Sequence, residues 1–172
     1  MSRLQWHFPI KTCSGIPVGN HSGAFGTQRK YENHTGIDLY TNNLEPVFAV
    51  EDGIVVGSGP FTGKLTNSTW WNDTDYLLVE GITGVVCYGE ISIAKNVGVG
   101  TIISACNHIG YVVRVLKDGK ERPDIVGHST SMLHLELYPH GTRNPSNGFE
   151  PMLRDATRYL LDAIGKPEKE LI

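Results

Sequence analysis

The chain has 172 residues, of which 40% are hydrophobic and 19% charged, and its formal net charge at neutral pH is −3. Those values describe a single globular domain, residues 1–172, long enough to bury a real core. They give no electrostatic reason to expect nucleic acid or an anionic membrane as partner, and no run of eighteen apolar residues suits membrane insertion.

The 20 glycines and 9 prolines favour turns and short strands over long helices. Met1 to Lys11 lacks a charged-then-apolar run with a small-residue cleavage site, so no signal peptide is expected and synthesis is read as cytoplasmic. Trp6, Phe8 and Ile10 alternate as an opening strand would. Cys13, Cys87 and Cys106 form no C-x-x-C pair, and their odd number fits a reducing compartment. Residues 12–33 are rich in Gly, Ser, Asn and Lys and read as a loop over the site, in which Arg29 and Tyr31 are assigned to surface packing ahead of substrate contact, and His21 to solvent ahead of a replacement-ligand role.

His34-Thr35-Gly36-Ile37-Asp38 places two metal-binding side chains four residues apart. On a strand or on a helix that spacing puts both on one face. Gly36 and the alternation through Leu39 and Tyr40 favour a strand, with Thr35, Ile37 and Leu39 in the core. Residues 44–56 read as strand, turn and strand, with Asp52-Gly53 as the hairpin signal. Residues 57–75 look irregular, and at least one of Trp70 and Trp71 is expected to pack inward and anchor that loop.

Residues 76–92 give two strands around a turn at 80–84. In the second, Val86, Tyr88 and Glu90 share a face by alternation, opposite Cys87. Residues 97–115 give short strands, with His108 as a solvated turn residue. Met132-Leu133-His134-Leu135-Glu136-Leu137 alternates cleanly, with Leu133, Leu135 and Leu137 on one face and His134 and Glu136 on the other. From about 150 to 164 apolar residues recur at helical steps. Pro151 suits the first turn, and Gly165 with Pro167 suits the stop.

If the two His-bearing strands are neighbours, His34, Asp38 and His134 converge. Two imidazoles and a carboxylate suit Zn²⁺ and leave a fourth position for water, as in catalytic zinc sites. The other reading of the same pattern is a set of hydrogen-bonded structural histidines.

Four stretches resemble, in order and spacing, the motifs of the lysostaphin-type (LytM-like) zinc endopeptidases. The first is Gly23-Ala24-Phe25-Gly26 leading to His34-Thr35-Gly36-Ile37-Asp38-Leu39. The second, Pro46-Val47-Phe48-Ala49 through Gly53-Ile54-Val55, has the form Pro-Val-x-Ala-x-x-x-Gly-x-Val. Tyr88-Gly89-Glu90-Ile91 stands where the family has Tyr-x-His-Leu. Gly127-His128-Ser129-Thr130 with Leu133-His134-Leu135-Glu136 matches the closing motif. The resemblance covers roughly residues 20–140. It implies a mainly β domain: an antiparallel, sandwich-like sheet with short strands and long loops, here with one C-terminal helix.

The resemblance also implies a zinc held by His34, Asp38 and His134, and cleavage of peptide cross-links in bacterial peptidoglycan. The sequence departs from the family at its two further histidines, which are replaced by Glu90 and Met132. Glu90 can serve as general base to a zinc-activated water, as a glutamate does in the more distant D-alanyl-D-alanine peptidases. Tyr88 is expected to orient water or stabilise the oxyanion, and His128 to restore a histidine near the metal. The rival expectation is a catalytically inactive zinc-binding module that binds wall peptides or a protein partner, such as a phage structural component. Without an export signal, delivery to the wall is expected from a virion or through a membrane pore.

Overall fold

The computed structural model describes residues 5–117, 131–145 and 153–164. The strands are β1 (Ile37–Thr41), β2 (Pro46–Phe48), β3 (Gly53–Thr62), β4 (Thr74–Gly81), β5 (Val85–Ile93), β6 (Ile102–Ile103), β7 (His108–Val112) and β8 (Ser131–Tyr138). A single helix, α1, spans Thr157–Ile164. The strands form one eight-stranded antiparallel sheet, ordered β1-β8-β5-β4-β3-β6, with β7 on β5 and β2 on β7. The mainly β, antiparallel architecture with one C-terminal helix is therefore the one expected from the sequence.

Alternation decides which face each strand buries. Leu133, Leu135 and Leu137 of β8 enter the main core with Ile37 and Leu39 of β1 and Val86 and Tyr88 of β5. Cross-strand partners share a face, and Ile37 and Tyr88 both stand opposite Leu135. The helix closes this core with Leu160 and Ala163, while Trp6 stacks on Tyr159 at 4.9 Å. The other face of the sheet carries a smaller cluster of Leu78, Val85, Cys87 and Tyr138. His134 and Asp38 lie on that second face.

Several sequence expectations are corrected. Residues 5–10 form no strand, although His7 N–H donates to Val50 O and Phe48 N–H to Pro9 O. β2 and β3 form no hairpin: β2 pairs with β7, and β3 with β4 and β6. Gly53 is required by a close approach, because a Cβ there would lie 2.5 Å from Glu80 O on β4. The stretch from Gly57 to Thr62, expected to be irregular, continues β3 through Pro60. β6 covers that edge only at Gly53 and Ile54, and an uncovered edge tolerates proline. His108 opens β7, half-buried against Phe48 and Tyr111.

Trp70 and Trp71 are 59% and 38% exposed, so neither packs inward. Polar bonds anchor their loop instead, among them Gly63 N–H to Ser68 Oγ, Lys64 N–H to Asp73 Oδ1 and Asn72 N–H to Val115 O. The helix begins at Thr157 rather than near 150, because Arg154 is still extended and donates its N–H to Leu137 O at the edge of β8. Pro151, Gly165 and Pro167 lie outside the described residues.

β1 and β8 come together tightly at Gly36. A Cβ there would sit 2.4 Å from Leu135 O and 2.9 Å from His134 Nε2. Gly36→Ala is therefore expected to push the strands apart at a cost of about 1–3 kcal/mol. It should also weaken zinc binding at least about tenfold. Urea unfolding and chelator competition measure both, and a variant as stable and as metal-competent as the parent contradicts the packing described.

Candidate metal centre

The centre sits on the seam where β1, β8 and β5 lie side by side. Asp38 faces His134 directly across the β1–β8 pair, and Gly89 of β5 faces His134 from the other side. His34 precedes β1 and is brought in by backbone bonds: its N–H donates to Thr27 O, and its carbonyl accepts from Gly26 N–H. Strand alternation does not extend back to Thr35, which leaves the core expected for it and donates to Glu136 Oε1 at 2.5 Å.

The three donors form a small triangle. Asp38 Oδ1 is 2.8 Å from His134 Nδ1 and 3.2 Å from His34 Nε2, and the two imidazole nitrogens are 3.4 Å apart. Ligand bonds of about 2.0–2.1 Å at the tetrahedral angle put neighbouring donors about 3.3 Å apart. The observed edges bracket that value, so the residues fit a tetrahedral ion such as Zn²⁺. Among the described residues no other group of three or more His, Cys, Asp or Glu converges in this way.

Each ligand is oriented by a partner behind it. His34 Nδ1 is 2.9 Å from Ala24 O. A carbonyl only accepts, so Nδ1 carries the proton and Nε2 turns its lone pair inward. His134 Nε2 is 2.9 Å from Glu136 Oε1, which leaves Nδ1 for the centre. Glu136 in turn accepts from Thr35 and from the Tyr138 hydroxyl, the latter at 2.5 Å. A carboxylate behind a ligating histidine fixes its tautomer and raises its basicity. Arg29 Nη2 donates to Asp38 Oδ2 at 2.9 Å and to Ser22 O at 2.9 Å.

The electrostatics follow from these contacts. Burial opposes ionisation of Asp38, but hydrogen bonds from His134 and His34 outweigh it and hold the carboxyl well below its usual range. Burial likewise disfavours a charged His134, yet its bonds to Asp38 and Glu136 raise it well above the ordinary imidazole value. Glu136 is also lowered: burial is outweighed by the bond from His134.

Glu90 arrives by a different route from the one alternation predicts. β5 changes partner there: up to Gly89 it pairs with β8, and from Ile91 with β7. Glu90 sits at the break with φ 62°, a left-handed conformation uncommon for a residue with a side chain, and its carbonyl accepts from Val113 N–H. This irregularity resets the alternation, so Tyr88 and Glu90 do not share a face. Tyr88 is in the main core, where its hydroxyl accepts from Val50 N–H at 2.9 Å, away from the ligands. Cys87 is on the centre's side of the sheet, not opposite it, and its thiol bonds to Glu136. Burial pushes that thiol well above its usual value, which excludes it as a nucleophile.

Glu90 Oε2 is enclosed and has no hydrogen-bond partner among the described residues. Burial, reinforced by the charge of Asp38, pushes this carboxyl up to about 8. A strained residue carrying an unpaired buried carboxylate oxygen beside a ligand triangle is the kind of group that catalytic sites retain. Phe61 leans on the His134 ring with centroids 5.5 Å apart and covers Gly89, where a Cβ would meet its ring at 2.7 Å. Met132 stands opposite Tyr40 on β1 and supplies no proton. His128 lies outside the described residues.

Two contributors were missed in the sequence. Glu136 was legible, being two positions from His134 on one strand face. Arg29, in an irregular loop, left no periodic signal.

No family model matches the sequence, and no curated protein matches it. Solved structures do. The catalytic domain of the antimicrobial peptidase lysostaphin from Staphylococcus simulans is similar over 83% of this chain and 90% of its own, at 20% identity and TM-score 0.53. The cbpa protein of L. salivarius REN is similar over 94% of this chain and 99% of its own, at 18% identity and TM-score 0.56. A catalytic-domain mutant of the prophage-encoded M23 protein EnpA from Enterococcus faecalis is similar over 81% and 92%, at 18% identity and TM-score 0.52. The fold is thus one that these three proteins share, among them the catalytic domain of an antimicrobial peptidase.

An ion at this centre competes with the proton on His134. Because that group is raised, zinc affinity is expected to climb with pH, approaching about tenfold per unit below the raised value, with proton release on binding. Chelator competition at pH 6, 7 and 8 measures it; an affinity independent of pH contradicts the assignment of His134 as a ligand.

Proposed function

We propose that this chain is a zinc-dependent endopeptidase of the lysostaphin type that hydrolyses peptide bonds in bacterial peptidoglycan. The observation that carries the reading is the triangle of His34 Nε2, Asp38 Oδ1 and His134 Nδ1 with Glu90, whose Oε2 has no hydrogen-bond partner among the described residues, on the same side of the sheet. The four sequence motifs and the fold shared with an antimicrobial peptidase support it. The peptidoglycan substrate follows from the motif resemblance.

In this reading His34, Asp38 and His134 hold the metal. Zinc there supplies a Lewis acid for the scissile carbonyl and lowers the pKa of water towards about 7. Glu90 takes a proton from the attacking water as the oxygen adds to the carbonyl carbon. It then delivers that proton to the departing nitrogen as the C–N bond breaks. Burial raises the Glu90 carboxyl and so favours its uptake of a proton, while a neighbouring dication would favour the charged form that accepts it. Phe61 shields the His134 ring from water, and Glu136 and Ala24 keep the two imidazoles aimed. Tyr88, fixed in the core, has no part in this reaction.

A second reading rests on Met132, which the motif resemblance sets where the lysostaphin-type family has a histidine: the chain then holds zinc without hydrolysing and serves as a binding module. Digestion of purified peptidoglycan by the zinc-loaded protein separates the two. The peptidase reading expects release of cross-link peptides that a chelator stops. Glu90→Gln should lower that release by about 10²-fold or more while zinc stays bound. A zinc-loaded parent that releases nothing favours the binding module, and a Glu90→Gln variant with full activity removes Glu90 from the mechanism.

A further inference from the structure

The loop before β1 grips the ligand triangle at three points. Ala24 O takes the proton of His34 Nδ1, Gly23 O accepts from Asp38 N–H at 2.9 Å, and Arg29 reaches the Asp38 carboxylate. The third contact divides the work of that carboxylate. Oδ1 faces the two imidazole nitrogens, at 2.8 Å and 3.2 Å. Oδ2 faces the guanidinium at 2.9 Å. The same Nη2 is tied to Ser22 O, so the arginine head is fixed from the loop side as well.

We infer that Arg29 is a positioning residue that makes Asp38 a one-oxygen ligand and so keeps the fourth metal position open. The inference rests on the zinc reading of the triangle. A carboxylate with both oxygens free can turn and bind a cation through both, which raises the coordination number and fills space that water and substrate need. With Oδ2 engaged by Nη2, rotation about the carboxylate bond breaks the ion pair. The Asp38 side chain is 5% exposed, so little water enters to replace that partner. The Arg29 side chain is 42% exposed, so its charge is screened and its effect lies in orientation rather than in overall stability. Partners behind the ligands typically change metal affinity about 10–100-fold.

The test uses the whole chain loaded with cobalt(II), whose visible bands are intense when four-coordinate and weak at higher coordination, together with zinc affinity by chelator competition. Arg29→Met is expected to weaken the cobalt bands several-fold and zinc binding about 10–100-fold, with the melting temperature of the metal-free protein unchanged. Arg29→Lys, which keeps the charge but not the planar fork, should fall between variant and parent. Spectrum and affinity equal to the parent's in Arg29→Met overturn the inference. So does a loss of affinity matched by collapse of metal-free stability and not recovered in Arg29→Lys. If Arg29→Met does not fold, Arg29→Lys decides by the same two readouts. A parent that binds neither metal refutes the zinc reading itself, a result distinct from failure at Arg29.

Discussion

The contact between Asp38 Oδ1 and His134 Nδ1, 2.8 Å across the β1–β8 pair, is the constraint on which the rest depends. It joins residues 96 positions apart, and only strand pairing brings them together. The register sets it: with Asp38 opposite His134, both point to the second face, and Ile37 and Leu135 point to the core. A slip of one residue would bury the imidazole among leucines and expose the leucines to the centre. The core therefore enforces the site. The leucines that make the sheet hydrophobic on one face also fix which way the ligands point on the other. Gly36 permits the close approach that this register demands.

The second constraint is the break in β5 at Glu90. One strand serves two partners, β8 before the break and β7 after it, and the residue at the junction takes a left-handed backbone. That conformation costs on the order of 1–3 kcal/mol for a residue with a side chain. It leaves a carboxylate oxygen enclosed and without a partner among the described residues, a further cost that a purely structural residue would relieve. Both costs fall on Glu90, the side chain proposed to move the proton. The sheet thus tolerates local strain where chemistry is proposed and is regular elsewhere around the ligands.

The parts of this arrangement that repeat were legible in the sequence. Leu133, Leu135 and Leu137 announced a half-buried strand, and period two placed His134 with Glu136. The spacing of His34 and Asp38 suggested a shared face. The parts that break the period were not legible. Alternation carried through Gly89 puts Tyr88 beside Glu90, but the strand bulges there; a lone glycine within a strand is the signal for such a bulge. The same period carried back to Thr35, two residues before β1 begins, points it into the core, but its hydroxyl meets Glu136 instead. Asp52-Gly53 looked like a hairpin, yet the glycine answers to a neighbouring strand that no local pattern reveals. Arg29 and Ala24 act from a loop, where contacts depend on the folded path and not on spacing.

The most direct measurement is a crystal structure of the zinc-loaded protein with data collected on both sides of the zinc absorption edge. One anomalous peak is expected about 2.0–2.2 Å from His34 Nε2, Asp38 Oδ1 and His134 Nδ1, with Arg29 still on Asp38 Oδ2 and a fourth position not filled by protein. No peak between these three atoms in crystals grown with zinc, or a peak ligated by other side chains, would contradict the account.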